Sequence, residues 1–380
     1  MSLSDYIKKH QLDTLLSDLL NQCVKARADN PLVYMADYLL EKTNYDILDC
    51  KASYVFDSRG VPTTEVTITT AKGVYRATCP SGSFQTLSEF KEYRDDDPGK
   101  YNGRGVMRAV HSINEQIAPL IIGKRATDQE QIDRILLENT SYVNVMYPVS
   151  VAVCKAGHTR NDRRRVPLPI LKVCETPKFQ QFFVVPVDKF NDHEDAMRMC
   201  VEVHHACPRV CTTLVHGLSV VTKAISKARH TGKVRIVVDV NASEFLTEDN
   251  YYEINQKVKL NRDEMHEMYR QWVSEYPIEW IENPFDHEEA FEPREYYLSS
   301  HPKHAKHFFC LKPSQYGTVT RIKEACKSSD SIIVSSRTGD TDDMFELTLA
   351  IDLAAKYVRL GNIPRYNCLL RDVLDENRTH

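Results

Sequence analysis

Four short apolar runs in this chain each end in a side chain that could do chemistry. Val237-Val238 runs into Asp239, Trp280-Ile281 into Glu282, Cys310-Leu311 into Lys312, and Val334-Ser335-Ser336 into Arg337. Two carboxylates, a lysine and an arginine delivered by four strand ends could converge on a small anion and a divalent cation. Hard oxygen ligands favour Mg²⁺, and a lysine buried near other cations acquires a lowered pKa and can serve as a base. The same residues could instead close a barrel mouth as ion pairs, and spacing alone leaves both readings open. Two further clusters invite a metal reading. His301, His304, His307 and Cys310 fall three residues apart, but such steps drift by about 60° each around a helix. His204, His205, Cys207 and Cys211 belong to an outer helix face. Both read as polar surface rather than as a zinc site.

The elements that must position these residues follow from periodicity. From about Pro167, short apolar strands alternate with helices. Phe182–Val185, Val234–Val238, Ile278–Ile281, Phe308–Leu311 and Ile332–Val334 are separated by helices at Glu194–His205, Val215–Arg229, Arg262–Glu275 and Val319–Lys327. Repeated βα units predict a parallel sheet, open or closed into a barrel, with its chemistry at the C-terminal strand ends. Upstream, Thr63–Thr70 and Val74–Cys79 flank the turn Ala71-Lys72-Gly73 as a hairpin. Helices are predicted at Val106–Ile117 and Gln129–Glu138, which makes a small α+β domain. The first 43 residues predict two amphipathic helices, with Ile7, Leu12, Leu15, Leu16, Leu19, Leu20 and Cys23 forming one stripe. Asn30 caps the second helix and Pro31 is its first residue. Arg160–Arg165 reads as a solvated connection.

Composition narrows the function classes. The 380 residues carry a net charge of −4, with 42% hydrophobic and 27% charged residues, so neither nucleic acid nor an anionic membrane is favoured as a partner. No apolar run reaches the length needed to span a bilayer. The N-terminus lacks a signal-peptide layout. Eleven cysteines without a CxxC read as reduced cytoplasmic thiols. Glycine numbers only 13, against about 27 expected from average usage, which leaves few places for backbone to cradle a phosphate.

Two resemblances add to this reading. The run of about Leu12–Lys42, most specifically Asn30-Pro31 followed by Tyr34-Met35-Ala36-Asp37-Tyr38-Leu39-Leu40, resembles the dimerisation/docking domain of protein kinase A regulatory subunits and Dpy-30 proteins. That likeness implies a homodimer through the N-terminal helices and a clasped amphipathic anchoring helix. Further on, Phe56–Thr63, Gly73–Gly82, Lys100–Val106, Asp239–Phe245, Ile281–Phe285, Leu311–Gly317 and Val334–Asp343 resemble the enolase family, in order, over about residues 48–374. The enolase resemblance implies dehydration of 2-phosphoglycerate to phosphoenolpyruvate with two Mg²⁺. Lys312 falls on the base, Asp239 and Glu282 on two of three metal carboxylates, and Arg337 on the phosphate-binding arginine. Arg359 falls on a late active-site lysine, and Gln181 replaces a substrate-site carboxylate.

The departures are numerous. Phe84 stands where the family has a metal-ligating loop serine, and Ser336 where it has a histidine. The histidine-bearing glycine loop is missing before Gln180, and the general-acid loop is missing from Cys211–Leu218. The strand ending in the third metal aspartate is read as deleted between Phe285 and Pro293. These losses predict an incomplete metal site, with Mg²⁺ needed only if the chain is active. The expected fold is a two-helix dimerisation segment (residues 1–45), an α+β domain (46–150) and a remodelled enolase-like α/β barrel (151–380). Docking-like helices joined to an enolase fold resemble the divergent enolase-type proteins of cilia and sperm flagella. That likeness implies a catalytically impaired enolase fold used as a scaffold, cytoplasmic or in the axoneme of a cilium or flagellum, with an axonemal protein as its partner. The alternative is a working phosphopyruvate hydratase.

Overall fold

The computed structural model describes residues 2–42, 45–82, 90–157, 166–178, 180–187, 190–255, 258–285, 298–299, 309–327, 329 and 331–371. The N-terminal segment holds three helices rather than two: α1 Leu3–Lys9, α2 Leu12–Ala26 and α3 Pro31–Lys42. The predicted first stripe is interrupted because Gln11 takes a left-handed conformation (φ 48°), which separates Ile7 on α1 from the leucines of α2. Arg27, also left-handed at φ 49°, closes α2. Asn30 then caps α3 as its side chain accepts from the Val33 amide at 3.3 Å. Leu19 and Cys23 are buried where α2 packs on α3.

The α+β domain opens with an antiparallel sheet of β1 Asp49–Phe56, β2 Pro62–Thr70 and β3 Gly73–Thr78. Thr70 pairs with Gly73, so the predicted hairpin turns on two residues. The helical layer comprises α4 Met107–Ser112, a π-turn at Ile113–Ile117, α5 Ala118–Ile121, α6 Gln129–Asn139 and α7 Val143–Gly157. Helix α7 runs unbroken across residue 150 and packs against β2 and β3. It is buried almost throughout, from Val143 to Ala156.

The barrel follows: β4 Leu168–Pro169, β5 Leu171–Glu175, β6 Gln181–Pro186, α8 His193–Ala206, α9 Leu214–Lys227 and β7 Val234–Asp239. A hairpin of β8 Tyr252–Asn255 and β9 Val258–Leu260 leads into α10 Arg262–Glu275 and β10 Ile278–Glu282. Then come β11 Leu298–Ser299, β12 Phe309–Leu311, α11 Val319–Cys326, β13 Ile332–Ser335, α12 Phe345–Asp352 and β14 Tyr357–Arg359. One sheet orders as β11-β10-β7-β6-β5 and the other as β12-β13-β14-β4. Only Ile170 separates β4 from β5, so the two sheets are continuous and curl into one wall.

The wall is not all parallel, as the repeated βα pattern predicted. Strand β6 is antiparallel to both neighbours, whereas β7–β10 and β12–β13–β14–β4 pair in parallel. The reason is local. Residues 176–180 are too few for the crossover a parallel pair requires, and Thr176 N–H donates to the Gln180 carbonyl at 2.9 Å to close a hairpin turn. Inside the wall, Ile170, Phe183, Val185, Val237, Trp280, Cys310, Ile333 and Tyr357 form their own buried cluster, distinct from the core under the helices. Trp280 and Tyr357 meet across the lumen with ring centroids 5.3 Å apart. Among the described residues β10 and β12 share no ladder. The segment in which the third metal aspartate was read as deleted lies outside the described residues.

Candidate active site at the barrel mouth

Side chains of a strand alternate between faces with a period of two. The interior cluster contains Val237, Trp280, Cys310, Ile333 and Tyr357. Two residues further along these parallel strands come Asp239, Glu282, Lys312, Ser335 and Arg359. Strand β6 runs the other way, so its mouth-end partner to Phe183 is Gln181. Register agrees: Glu282 pairs with Asp239, Gln181 with Asp239, and Ser335 with Arg359. Lys312 keeps extended backbone (φ −105°, ψ 97°), so alternation carries through to it. The sequence-predicted residues Gln181, Asp239, Glu282, Lys312 and Arg359 therefore occupy one inward layer above the apolar one.

Electrostatics in that layer are specific. Glu282 is fully buried. It accepts from the Trp280 indole N–H at 2.9 Å and from the Arg359 guanidinium, its ion-pair partner. Arg359 in turn lies over the Phe183 ring at 4.1 Å, so β6, β10 and β14 are tied together at the mouth. Asp239 accepts from Asn283 Nδ2 at 2.9 Å and from the Asn241 amide at 3.2 Å. Both asparagines adopt positive φ (46° and 49°) as the chain turns off its strand, a conformation that asparagine tolerates.

Arg337 sits two residues past Ser335, on the loop that meets the α+β domain. Ser81 and Gly339 exchange two backbone hydrogen bonds of 2.9 and 2.7 Å there. Gly82 lies against Arg337 so closely that a Cβ on it would stand 1.8 Å from the guanidinium. Buried Asp57 organises this junction by accepting from the Arg59 and Val61 amides, the Arg59 side chain and Ser81 Oγ. Burial pushes the Asp57 carboxyl up, but these bonds outweigh it and hold the group below its usual 3.8.

Sequence reasoning gave no role to Trp280, Asn283, Asp57 or Arg59. Trp280 was legible, because it precedes Glu282 by two and shares its face. Phe84, His301, His304, His307 and Arg160–Arg165 lie outside the described residues. His204 hydrogen-bonds to the Lys172 carbonyl at 2.9 Å. Cys211 Sγ donates to the Glu175 carbonyl at 3.5 Å.

The donor chemistry of Asp239 and Glu282 suits Mg²⁺. The fit is partial, since Arg359 already holds Glu282, and among the described residues no three His, Cys, Asp or Glu side chains gather tightly enough to hold a metal ion.

Fold and mouth together define a class: an α+β domain capping a mixed α/β barrel whose inward residues combine carboxylates with fixed cations. Comparison with known proteins narrows it. The enolase N-terminal domain matches residues 47–165, and the enolase C-terminal TIM barrel domain matches residues 208–299. Enolase of Solanum lycopersicum is 31% identical over 420 residues, covering 86% of this chain and 94% of that protein. Cytosolic enolase 3 of Arabidopsis thaliana is 28% identical over 457 residues, covering 98% of this chain and 96% of that one. Enolase of Eimeria tenella is 29% identical over 422 residues, with 86% and 95% covered. The chain belongs to the enolase family. A 420-position match that uses 86% of 380 residues leaves roughly 90 positions opposite gaps in this chain. The Arabidopsis match leaves only about eight residues outside it, so it takes in most of the N-terminal helices.

Proposed function

We propose that the barrel mouth carries out the enolase reaction, dehydrating 2-phosphoglycerate to phosphoenolpyruvate. One observation carries this reading: Lys312 shares an inward layer with Asp239, Glu282 and Arg359, on the strand ends where a barrel does its chemistry. Lys312 takes the proton from the carbon beside the substrate carboxylate. Arg337, at the junction with Gly82, holds the phosphate. Arg359 places a fixed positive charge where negative charge develops on the carboxylate, a form of stabilisation that is usually the largest catalytic contribution. The C–O bond to the neighbouring carbon breaks, the leaving hydroxide takes a proton from solvent to depart as water, and Lys312 returns its proton to solvent. Mg²⁺, when bound, would supply further charge neutralisation at Asp239 and Glu282. The test uses the full chain with saturating Mg²⁺ and 2-phosphoglycerate, following phosphoenolpyruvate by its absorbance. The expected result is turnover abolished by Lys312→Ala. A folded protein that makes no product above the blank at any Mg²⁺ concentration overturns the reading.

A second reading, an enolase fold without turnover that serves as a scaffold, is favoured by the ion pair of Arg359 with Glu282, one of the two carboxylates proposed to hold Mg²⁺. In that case the N-terminal helices carry the role. Leu16, Leu20, Leu32 and Val33 are each more than half exposed, and two copies of α2–α3 would cover them. The docking-domain resemblance adds an amphipathic anchoring helix, and its combination with an enolase fold adds a place in a ciliary axoneme. Sedimentation of the full chain at high micromolar concentration should show a dimer that Leu16→Asp converts to a monomer. A monomeric wild type refutes it.

A further inference from the structure

Arg365, to which sequence reasoning gave no role, is buried against the segment that carries Arg337. It ends a short 3-10 turn, Ile363–Arg365, which Asn362 caps as its side chain accepts from the Arg365 amide at 3.4 Å. The guanidinium reaches four residues of the segment 336–346. Nη1 donates to Ser336 Oγ at 2.7 Å and to Asp340 Oδ2 at 3.1 Å. Nη2 donates to the Asp343 carbonyl and, at 2.9 Å, to Glu346 Oε2.

The α+β domain holds the same segment from its own side. Asp343 accepts from the Thr78 amide at 3.0 Å and from Lys155 Nζ at 2.6 Å. The Asp340 carbonyl accepts from the Ser58 amide at 2.8 Å. Arg337 therefore sits on a segment anchored to both domains. It lines a small cavity with Gly82, Glu92 and Ser314, and Ser314 is two residues past Lys312. Glu92 is paired with Arg94. Ser336, the neighbour of Arg337 in sequence, is fixed twice: its amide donates to the Arg359 carbonyl at 2.8 Å, and its hydroxyl accepts from Arg365.

We propose that Arg365 is a positioning residue for Arg337, holding the segment 336–346 so that the Arg337 guanidinium stays in place to take the phosphate. The proposal rests on the phosphate role given to Arg337 above. Arg365 moves no proton and touches no substrate. Its planar fork presents several donors in fixed directions, so a shift of the segment breaks buried charge-assisted bonds. An ammonium carries its charge at one atom and cannot span the same four partners. Asp340 and Glu346 are buried too, so deleting the Arg365 charge would strand two anions. Arg365→Lys is the informative change, since it keeps the charge and removes the fork.

The experiment titrates inorganic phosphate calorimetrically into the full chain, well below the melting temperature, so that only folded protein is read. Wild type should bind phosphate and Arg337→Met should not. Arg365→Lys should weaken binding about tenfold, roughly the worth of one charged contact. Ser336→Ala removes only the bond beside Arg337 and should weaken binding about threefold; it decides the matter if Arg365→Lys does not fold. Deuterium uptake by peptides covering 336–344 should rise in Arg365→Lys while uptake by α10 stays unchanged. Unaltered phosphate affinity in both variants, with Arg337→Met still losing it, overturns the proposal and leaves Arg337 its role. Wild type that binds no phosphate, or Arg337→Met that binds it equally well, overturns the phosphate role of Arg337 and this proposal with it. Turnover is a separate readout: a chain that binds phosphate through Arg337 and Arg365 without making product refutes the enolase reaction and supports the positioning role.

Discussion

Replacing Arg359 with methionine tests the mouth layer most directly. Glu282 is fully buried and its carboxylate is shared between Arg359 and the Trp280 indole N–H. Removing one member of a buried ion pair typically costs about 3–5 kcal/mol, because the other charge stays out of water. The low end, about 3 kcal/mol, applies here, since Trp280 and the other contacts of Glu282 remain and methionine keeps some packing on Phe183. For a domain the size of this barrel, each kcal/mol moves the midpoint by about 2–4 °C. Arg359→Met should therefore melt about 6–12 °C below wild type. The double variant Arg359→Met/Glu282→Gln leaves no buried charge of the pair and should recover about half of the loss, a coupling expected only of residues in contact. Mg²⁺ adds a discriminating arm. If Glu282 serves as a metal carboxylate, Mg²⁺ should raise the melting temperature of Arg359→Met more than that of wild type, because the competing guanidinium is gone. A single-variant shift under about 2 °C, or strictly additive single and double variants, would refute the reasoning.

Two shorter predictions concern the junction. Asp57→Asn should cost about 1–3 kcal/mol at neutral pH by weakening charge-assisted bonds. A carboxyl held below 3.8 in the folded state contributes stability above that pH and loses it as pH falls through the folded value; the gap in melting temperature between variant and wild type should close in strong acid and stay constant above about pH 5. Gly82→Ala should displace the Arg337 guanidinium, whose flexible end can yield at little cost in stability; if Arg337 holds the phosphate, the KM for 2-phosphoglycerate rises while the melting temperature changes by under about 2 °C. An unchanged KM in an active enzyme would separate Arg337 from the phosphate.

What the sequence disclosed depended on whether a segment carried a period and a punctuation mark. Helix α10 has both. Its amphipathic run is bounded by Asn261, whose side chain caps the Glu264 amide while Glu264 reaches back, and its predicted span Arg262–Glu275 is the observed one. The caps at Asn30 and the turn before Gly73 were legible for the same reason. Helix α7 was not. It is apolar on every side and contains Pro148, so no stripe distinguishes it from a buried strand and the proline argues against a helix. Strand β14 is three residues long, too short to show alternation. The antiparallel β6 was missed because its strand reads like any other; only the shortness of the β5–β6 connection reveals its direction.

The candidate site was legible for a reason that also limits what it proves. Once the interior residues Val237, Trp280, Cys310 and Tyr357 are fixed on their strands, the period of two dictates that Asp239, Glu282, Lys312 and Arg359 share the next layer. A one-residue slip would turn the whole set outward, so packing of the apolar layer positions the chemical one. The converse does not hold. The apolar layer supports itself through contacts such as Trp280 on Tyr357, and residues above it can change without loss of the barrel. Gln181 shows this freedom, an amide seated beside Asp239 where the family resemblance implies a carboxylate. Arg359 shows it again, a guanidinium where that resemblance implies a lysine. It is planar, retains its charge, and is matched to a carboxylate in a way that an ammonium is not. A lysine there could give way to a metal more readily than an arginine bound to Glu282. The identity of that one side chain therefore decides how strongly the mouth competes with Mg²⁺ for its own carboxylate.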